Sequence, residues 1–113
     1  MIYYLRNNLD NTIIGGDFNC ILSPRDSSSN STHVCKALKD NLRSLNLKDA
    51  WFICNRNVEY TFVRNDYGSR LDRFYLKNLA NNVKSINLKH VNFSDHSCVQ
   101  MEVKLSEIKI GKY

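Results

Sequence analysis

A chain of 113 residues with 42% hydrophobic and 24% charged residues encodes one domain at most and is not disordered throughout. Its 16 Lys and Arg against 11 Asp and Glu give a formal charge of +5, compatible with a polyanionic partner such as nucleic acid. No apolar run approaches the ~18 residues that cross a bilayer, and the N-terminus MIYYLRNN lacks a signal-peptide pattern, so a nuclear or cytoplasmic protein without a membrane is expected.

In chain order, Ile2, Leu5 and Leu9 stand at helical spacing and predict the last turns of a helix. Asp10-Asn11 turns the chain into a strand over Thr12 to Phe18, whose unalternated Ile13-Ile14 suggests cover on both faces. Ser23 to His33 (SPRDSSSNSTH) holds the only proline and reads as a flexible surface loop. Val34, Leu38, Leu42 and Leu45 then mark an amphipathic helix over Val34 to Leu47. Asp49-Ala-Trp-Phe leads out of it, with Trp51 in the core.

Val58 to Val63 and Ser69 to Lys77 predict two strands joined as a hairpin through Asn65-Asp66-Tyr67-Gly68. Val83 to Val91 is a further extended segment. Cys98 to Leu105 alternates, with Val99, Met101, Val103 and Leu105 inward, as expected of a strand with one wet face. The four cysteines, Cys20, Cys35, Cys54 and Cys98, form no CxxC pair and no Cys/His cluster. Buried free thiols in a reducing compartment are expected, and no zinc site. The sequons at Asn30 and Asn92 would matter only in a secreted chain.

Three polar groups need an explanation. In GGDFN, alternation puts Asp17 and Asn19 on one side of a strand's end. An acid and an amide there can hold a hard cation or a phosphoryl oxygen, or can simply close an Asx turn. The glycines allow a substrate or a neighbouring backbone to approach. In SRLDRFY, Asp72 shares a side with Phe74 and Leu76, so a half-buried carboxylate is expected. Its partner is either Arg70 or Arg73, in a structural ion pair, or a histidine whose tautomer it fixes. In FSDHS, Asp95 and His96 can serve one site only from a turn entering the Cys98 strand. His33 and His90 have no comparable neighbours and read as structural.

Taken in order, GGDFN, SRLDRFY and SDH resemble the endonuclease/exonuclease/phosphatase superfamily, and within it the endonuclease domain of non-LTR retrotransposons. Asp49-Ala-Trp and Tyr60-Thr-Phe fit the same pattern. The resemblance implies an α/β fold: the C-terminal half of a four-layered sandwich, one mixed sheet with flanking helices, over residues 1–105, followed by a basic tail at 106–113. It implies divalent-metal-dependent cleavage of phosphodiester bonds, with Mg²⁺ or Mn²⁺ as cofactor and DNA as partner. Carried over residue by residue, Asp17 orients or deprotonates the attacking water, and Asn19 stabilises the transition-state oxygens. Asp17, Asn19 and Asp95 hold the metal. Asp72 pairs with His96, which sits on the phosphate as a charged donor, and Arg70 lies near the substrate.

The first half of that fold supplies an Asn, a metal-binding Glu and a Tyr or His that have no counterpart here. The resemblance therefore implies an inner sheet face open to water, and a missing N-terminal half or a second copy of the chain as partner. Two further readings stay open: a non-catalytic relic that binds nucleic acid, and a relative acting as a phosphatase or repair nuclease.

Overall fold

The computed structural model describes residues 2–7, 11–29 and 33–104. Its elements run β1 (Ile2–Asn7), β2 (Asn11–Asp17), α1 (Lys36–Ser44), β3 (Lys48–Asp49), α2 (Ala50–Ile53), β4 (Phe62–Arg64), β5 (Tyr67–Ser69), β6 (Asp72–Lys77), β7 (Val83–Lys89) and β8 (Cys98–Val103). The α/β class is as expected. The single mixed sheet is not: β1-β2-β6-β3 form one sheet in that order, every pairing antiparallel, while β4-β5 and β7-β8 are separate hairpins. A parallel pairing occurs as the isolated bridge Ile21↔Val34.

The helix expected at the N-terminus is a strand. Ile2–Asn7 pairs along its whole length with β2, from Ile2↔Gly16 to Asn7↔Asn11. Apolar spacing over so short a segment cannot nucleate a helix unaided, whereas an adjacent strand satisfies each backbone group it meets. Leu9 and Asp10 lie outside the described residues, as do Leu105 and the basic tail.

Alternation along β2 and β6 divides the sheet into two faces. Register places Ile13 opposite Leu76, Gly15 opposite Phe74 and Asp17 opposite Asp72, so these six share one face. Ile13, Phe74 and Leu76 pack there with Trp51, Leu79 and Ile86, under α2 and the β7-β8 hairpin. The expectation of an inner face open to water fails at this end, because the alternating Val99 and Met101 of β8 turn onto it. Gly15 is required by this packing, since a Cβ would stand 2.5 Å from the Phe74 ring. Ile14 and Tyr75 belong to the other face, where Leu42 and Leu47 cover them with Leu38 and Phe18.

Helix α1 is shorter than the periodicity suggests. Val34 sits in the bridge to Ile21, and Leu45 caps the helix and is exposed, while Asn46 at φ 57° reverses the chain so that Leu47 returns to the core. Trp51 is buried as expected, with its indole N–H donating to Asn57 O at 2.8 Å. The Ser23 to His33 loop is not all surface. A 3₁₀ turn, Pro24–Asp26, carries Asp26 and Ser27 inward, and Asn30 to Thr32 lie outside the described residues.

The long hairpin is also broken. Only Phe62–Arg64 and Tyr67–Ser69 pair with each other, and Asp72–Lys77 leaves to join β2. The break falls at Arg70-Leu71, where the backbone N–H groups find other acceptors: Arg70 donates to Asp26 O, and Leu71 and Asp72 donate to the Thr61 hydroxyl. Cys20, Cys35 and Cys54 are half-buried rather than buried, Cys98 is exposed, and all four are free.

Candidate functional site

Antiparallel register sets Asp17 and Asp72 directly opposite each other at one end of the β2-β6 ladder. Like charges in that position repel. His96 lies against both. Its Nδ1 lies 2.8 Å from Asp72 Oδ2, and its Nε2 lies 3.9 Å from Asp17 Oδ2. An ionised carboxylate only accepts, so Nδ1 is the donor to Asp72 and Nε2 is left facing Asp17. One ligand atom from each of the three lies within 4.8 Å of the others. The side chains are 26%, 21% and 36% exposed for Asp17, Asp72 and His96, so the cluster opens to solvent. A cleft of about 300 Å³ beside it is lined by Gly15, Gly16, Phe74 and Val99.

His96 comes from far along the chain and is held by backbone pairing. A bridge joins it to Phe62, with Ser97 N donating to Thr61 O at 2.7 Å and Val63 N to Asp95 O at 2.9 Å. The Phe62 ring lies 5.1 Å from the imidazole, and His96 N donates to Ser94 Oγ at 3.1 Å. Thr61 links both halves of the cluster, because its hydroxyl also accepts from Leu71 N and Asp72 N at 3.0 Å. Nothing in the chemistry of a lone buried threonine announced this role. Its place in Tyr60-Thr-Phe was the only available signal. His90, read as merely structural, bonds Ser97 Oγ at 2.8 Å, next to His96.

The other expected residues stand differently. Asn19, at φ 54°, donates its backbone N–H to Asp17 Oδ1 at 2.8 Å, which is the Asx turn weighed from the sequence. With its amide nitrogen turned inward, its side chain reaches Asp17 Oδ2 at 3.1 Å. The turn, and not strand alternation, joins the acid and the amide, since β2 ends at Asp17. Asp95 is exposed, outside the cluster, and lies 3.4 Å from Arg64 Nε.

Arg70 is not presented to a substrate. It is 2% exposed, with Nε 2.9 Å from Asp26 Oδ1 and its terminal nitrogens on both Asp49 oxygens. Burial alone would lower its pKa, but the flanking Asp49 and Asp26 carboxylates raise it instead. No local pattern marks Asp26, inside a Ser-rich loop, as one of its partners. Arg73, the other candidate partner for Asp72, faces away and lies over the Phe18 and Tyr75 rings.

The comparisons agree with the motif order. The model of the Endonuclease/Exonuclease/phosphatase family matches residues 4–96, from the first strand to His96. The chain belongs to this family. A relative from Xenopus laevis, named as the uncharacterized 149 kDa protein of transposon TX1, is 34% identical. That match covers 83% of this chain but 8% of the relative, so the chain spans less than a tenth of that protein's length. Membership ties the domain to a family whose nucleases use divalent metals. Asp17, Asp72 and His96 form a cluster of two carboxylates and one imidazole that could hold a metal ion. No helix among the described residues is long and apolar enough to cross a membrane.

Proposed function

We propose that this domain hydrolyses phosphodiester bonds of DNA with Mg²⁺ or Mn²⁺, as a nuclease of retrotransposon type. The observation that carries this reading is the Asp17–His96–Asp72 cluster: two opposed carboxylates share one imidazole at the open end of a sheet, where a core gains nothing from them. Asp72 holds the Nδ1 proton and fixes the ring, leaving Nε2 to hold a proton for a phosphate oxygen. Asp17 is the base for the attacking water. The Asn19 amide, now on Asp17, turns to a non-bridging oxygen when a phosphate enters.

Asp17 and Asn19 would hold the metal, with Asp95 recruited from the neighbouring turn. When bound, the ion neutralises phosphoryl charge and activates water. A non-catalytic, nucleic-acid-binding role has one observation in its favour. The Asp95 carboxylate faces Arg64, which leaves the cluster one anionic ligand fewer than the motif implies.

The test combines plasmid nicking with metal titration. Nicking is expected in Mg²⁺ and not in EDTA, with Asp17→Asn and His96→Ala each losing on the order of 100-fold or more. Mn²⁺ should selectively broaden the amide resonances of Asp17, Asn19, Asp72 and His96, and the Asp17→Asn variant should lose that broadening. Selective broadening without nicking would favour the binding role. Sharp resonances at all four positions in a folded sample would sink the metal reading.

A further inference from the structure

Two of the four cysteines are brought together by the backbone. The parallel bridge Ile21↔Val34 lays the chain after β2 beside the chain entering α1, and Cys35 N–H donates to Ile21 O at 3.0 Å. Cys20 and Cys35 therefore flank one bridge, and their side chains interact thiol to thiol. Both are free and half-buried. Cys54 packs instead against the Trp51 core, and the exposed Cys98 thiol turns to Val99 O.

Arg73 adds an independent observation. It is 2% exposed, and among the described residues no carboxylate pairs with it. Its Nε and Nη1 are buried without a hydrogen-bond partner, and its Nη2 lies 3.9 Å from Cys20 Sγ. The Phe18 and Tyr75 rings lie against the guanidinium but leave those N–H groups unpaired. A buried cation without a counter-ion is unfavourable, and it favours negative charge beside it. Cys20 is a neighbour that can take up such charge. Burial holds its thiol above the ordinary value against the pull of Arg73, so Cys20 rests protonated and ionises beside Arg73 only when it reacts.

We infer that Cys20 and Cys35 are an oxidative modification site, which a low-molecular-weight disulfide such as oxidised glutathione converts to a reversible internal disulfide. Cys35 gives its proton to water, and its thiolate attacks one sulfur of the oxidant. The oxidant's S–S bond breaks, one glutathione leaves as thiolate and takes up a proton, and Cys35 becomes a mixed disulfide. Cys20 then ionises against Arg73 and attacks the Cys35 sulfur, which releases the second glutathione. The two electrons and two protons lost by the cysteines end on the two glutathione thiols. The new bond closes the loop between Cys20 and Cys35 and ties the residue after Asn19 to the N-cap of α1. It stands apart from the proposed hydrolysis and draws nothing from its metal.

The experiment incubates the full chain with oxidised glutathione, blocks remaining thiols by alkylation, and reads the intact mass and the peptides. The expected product is lighter by two hydrogen atoms, joins Cys20 to Cys35, and returns to the dithiol in dithiothreitol. Its unfolding temperature should be higher than that of the reduced chain, and Cys35→Ser should abolish the rise. Cys20→Ser should stop the reaction at a glutathionyl group on Cys35. Arg73→Met should lengthen the life of that adduct on the order of tenfold in a sample that remains folded. Should Arg73→Met not fold, Cys20→Ser carries the test of order. Glutathionyl groups on both cysteines with no internal bond would overturn the proposal, as would internal bonds that take in Cys54 or Cys98 equally often. So would an equal rate in urea, where the Ile21↔Val34 bridge is lost.

Discussion

Two clusters with the same ingredients begin two residues apart in the chain, at Arg70 and at Asp72. Each joins two carboxylates to one nitrogen base: Asp26 and Asp49 around Arg70, Asp17 and Asp72 around His96. The first is buried and saturated, with the guanidinium fork spread over both acids. The second is partly exposed, and His96 Nε2 makes no hydrogen bond among the described residues. Composition does not separate a lock from a site. Burial and spare hydrogen-bonding capacity do.

The contrast predicts opposite responses to losing the central base. Arg70→Met strands the buried Asp26 and part-buried Asp49 carboxylates and should lower unfolding free energy by about 3–5 kcal/mol. His96→Ala should change it by no more than about 1 kcal/mol, as for other exposed ion pairs. Urea unfolding of the two variants side by side is the measurement. Equal losses would make both clusters structural and remove the main reason to read His96 as functional. If Arg70→Met is too unstable to purify, adding Asp26→Asn and Asp49→Asn should recover part of the loss.

Thr61 lies between the clusters and should give an intermediate effect. Thr61→Val keeps the shape but leaves the Leu71 and Asp72 amides without their acceptor, at a cost of about 1–3 kcal/mol. Hydrogen exchange should accelerate at those two amides ahead of the rest of β6. Uniform acceleration across the sheet would mean that Thr61 supports the whole fold rather than the join between Asp72 and the His96 turn.

These distinctions bear on what a reader of the sequence can recover. GGDFN, SRLDRFY and SDH named Asp17, Asn19, Asp72 and His96, and alternation correctly placed Asp72 on the Phe74 side. Local pattern sufficed there because strand period fixes the facing of every residue. It failed at Arg70, whose partners lie 44 and 21 positions away, Asp26 in no motif and Asp49 in one that says nothing of an arginine. It failed also at Ile2–Asn7, where pairing with β2 outweighed a helical spacing too short to act alone. The break inside SRLDRFYLK was hidden for the same reason: the groups that interrupt the ladder, Thr61 and Asp26, are distant in sequence.

Asp95 gives the smallest stability effect and the sharpest division between the readings. Its ion pair with Arg64 is long and solvent-exposed, and such pairs contribute roughly 0–1 kcal/mol. Asp95→Asn should therefore leave the unfolding midpoint almost unchanged, because the amide keeps the turn's shape and its backbone carbonyl still accepts from Val63. As a recruited metal ligand, however, the carboxylate cannot be replaced by an amide without loss. Mn²⁺ affinity at the cluster should then fall on the order of tenfold, and nicking with it. Unchanged affinity together with unchanged stability would leave Asp95 a surface residue. The ion would then rest on Asp17 and Asn19 alone, one anionic ligand fewer than the motif implies.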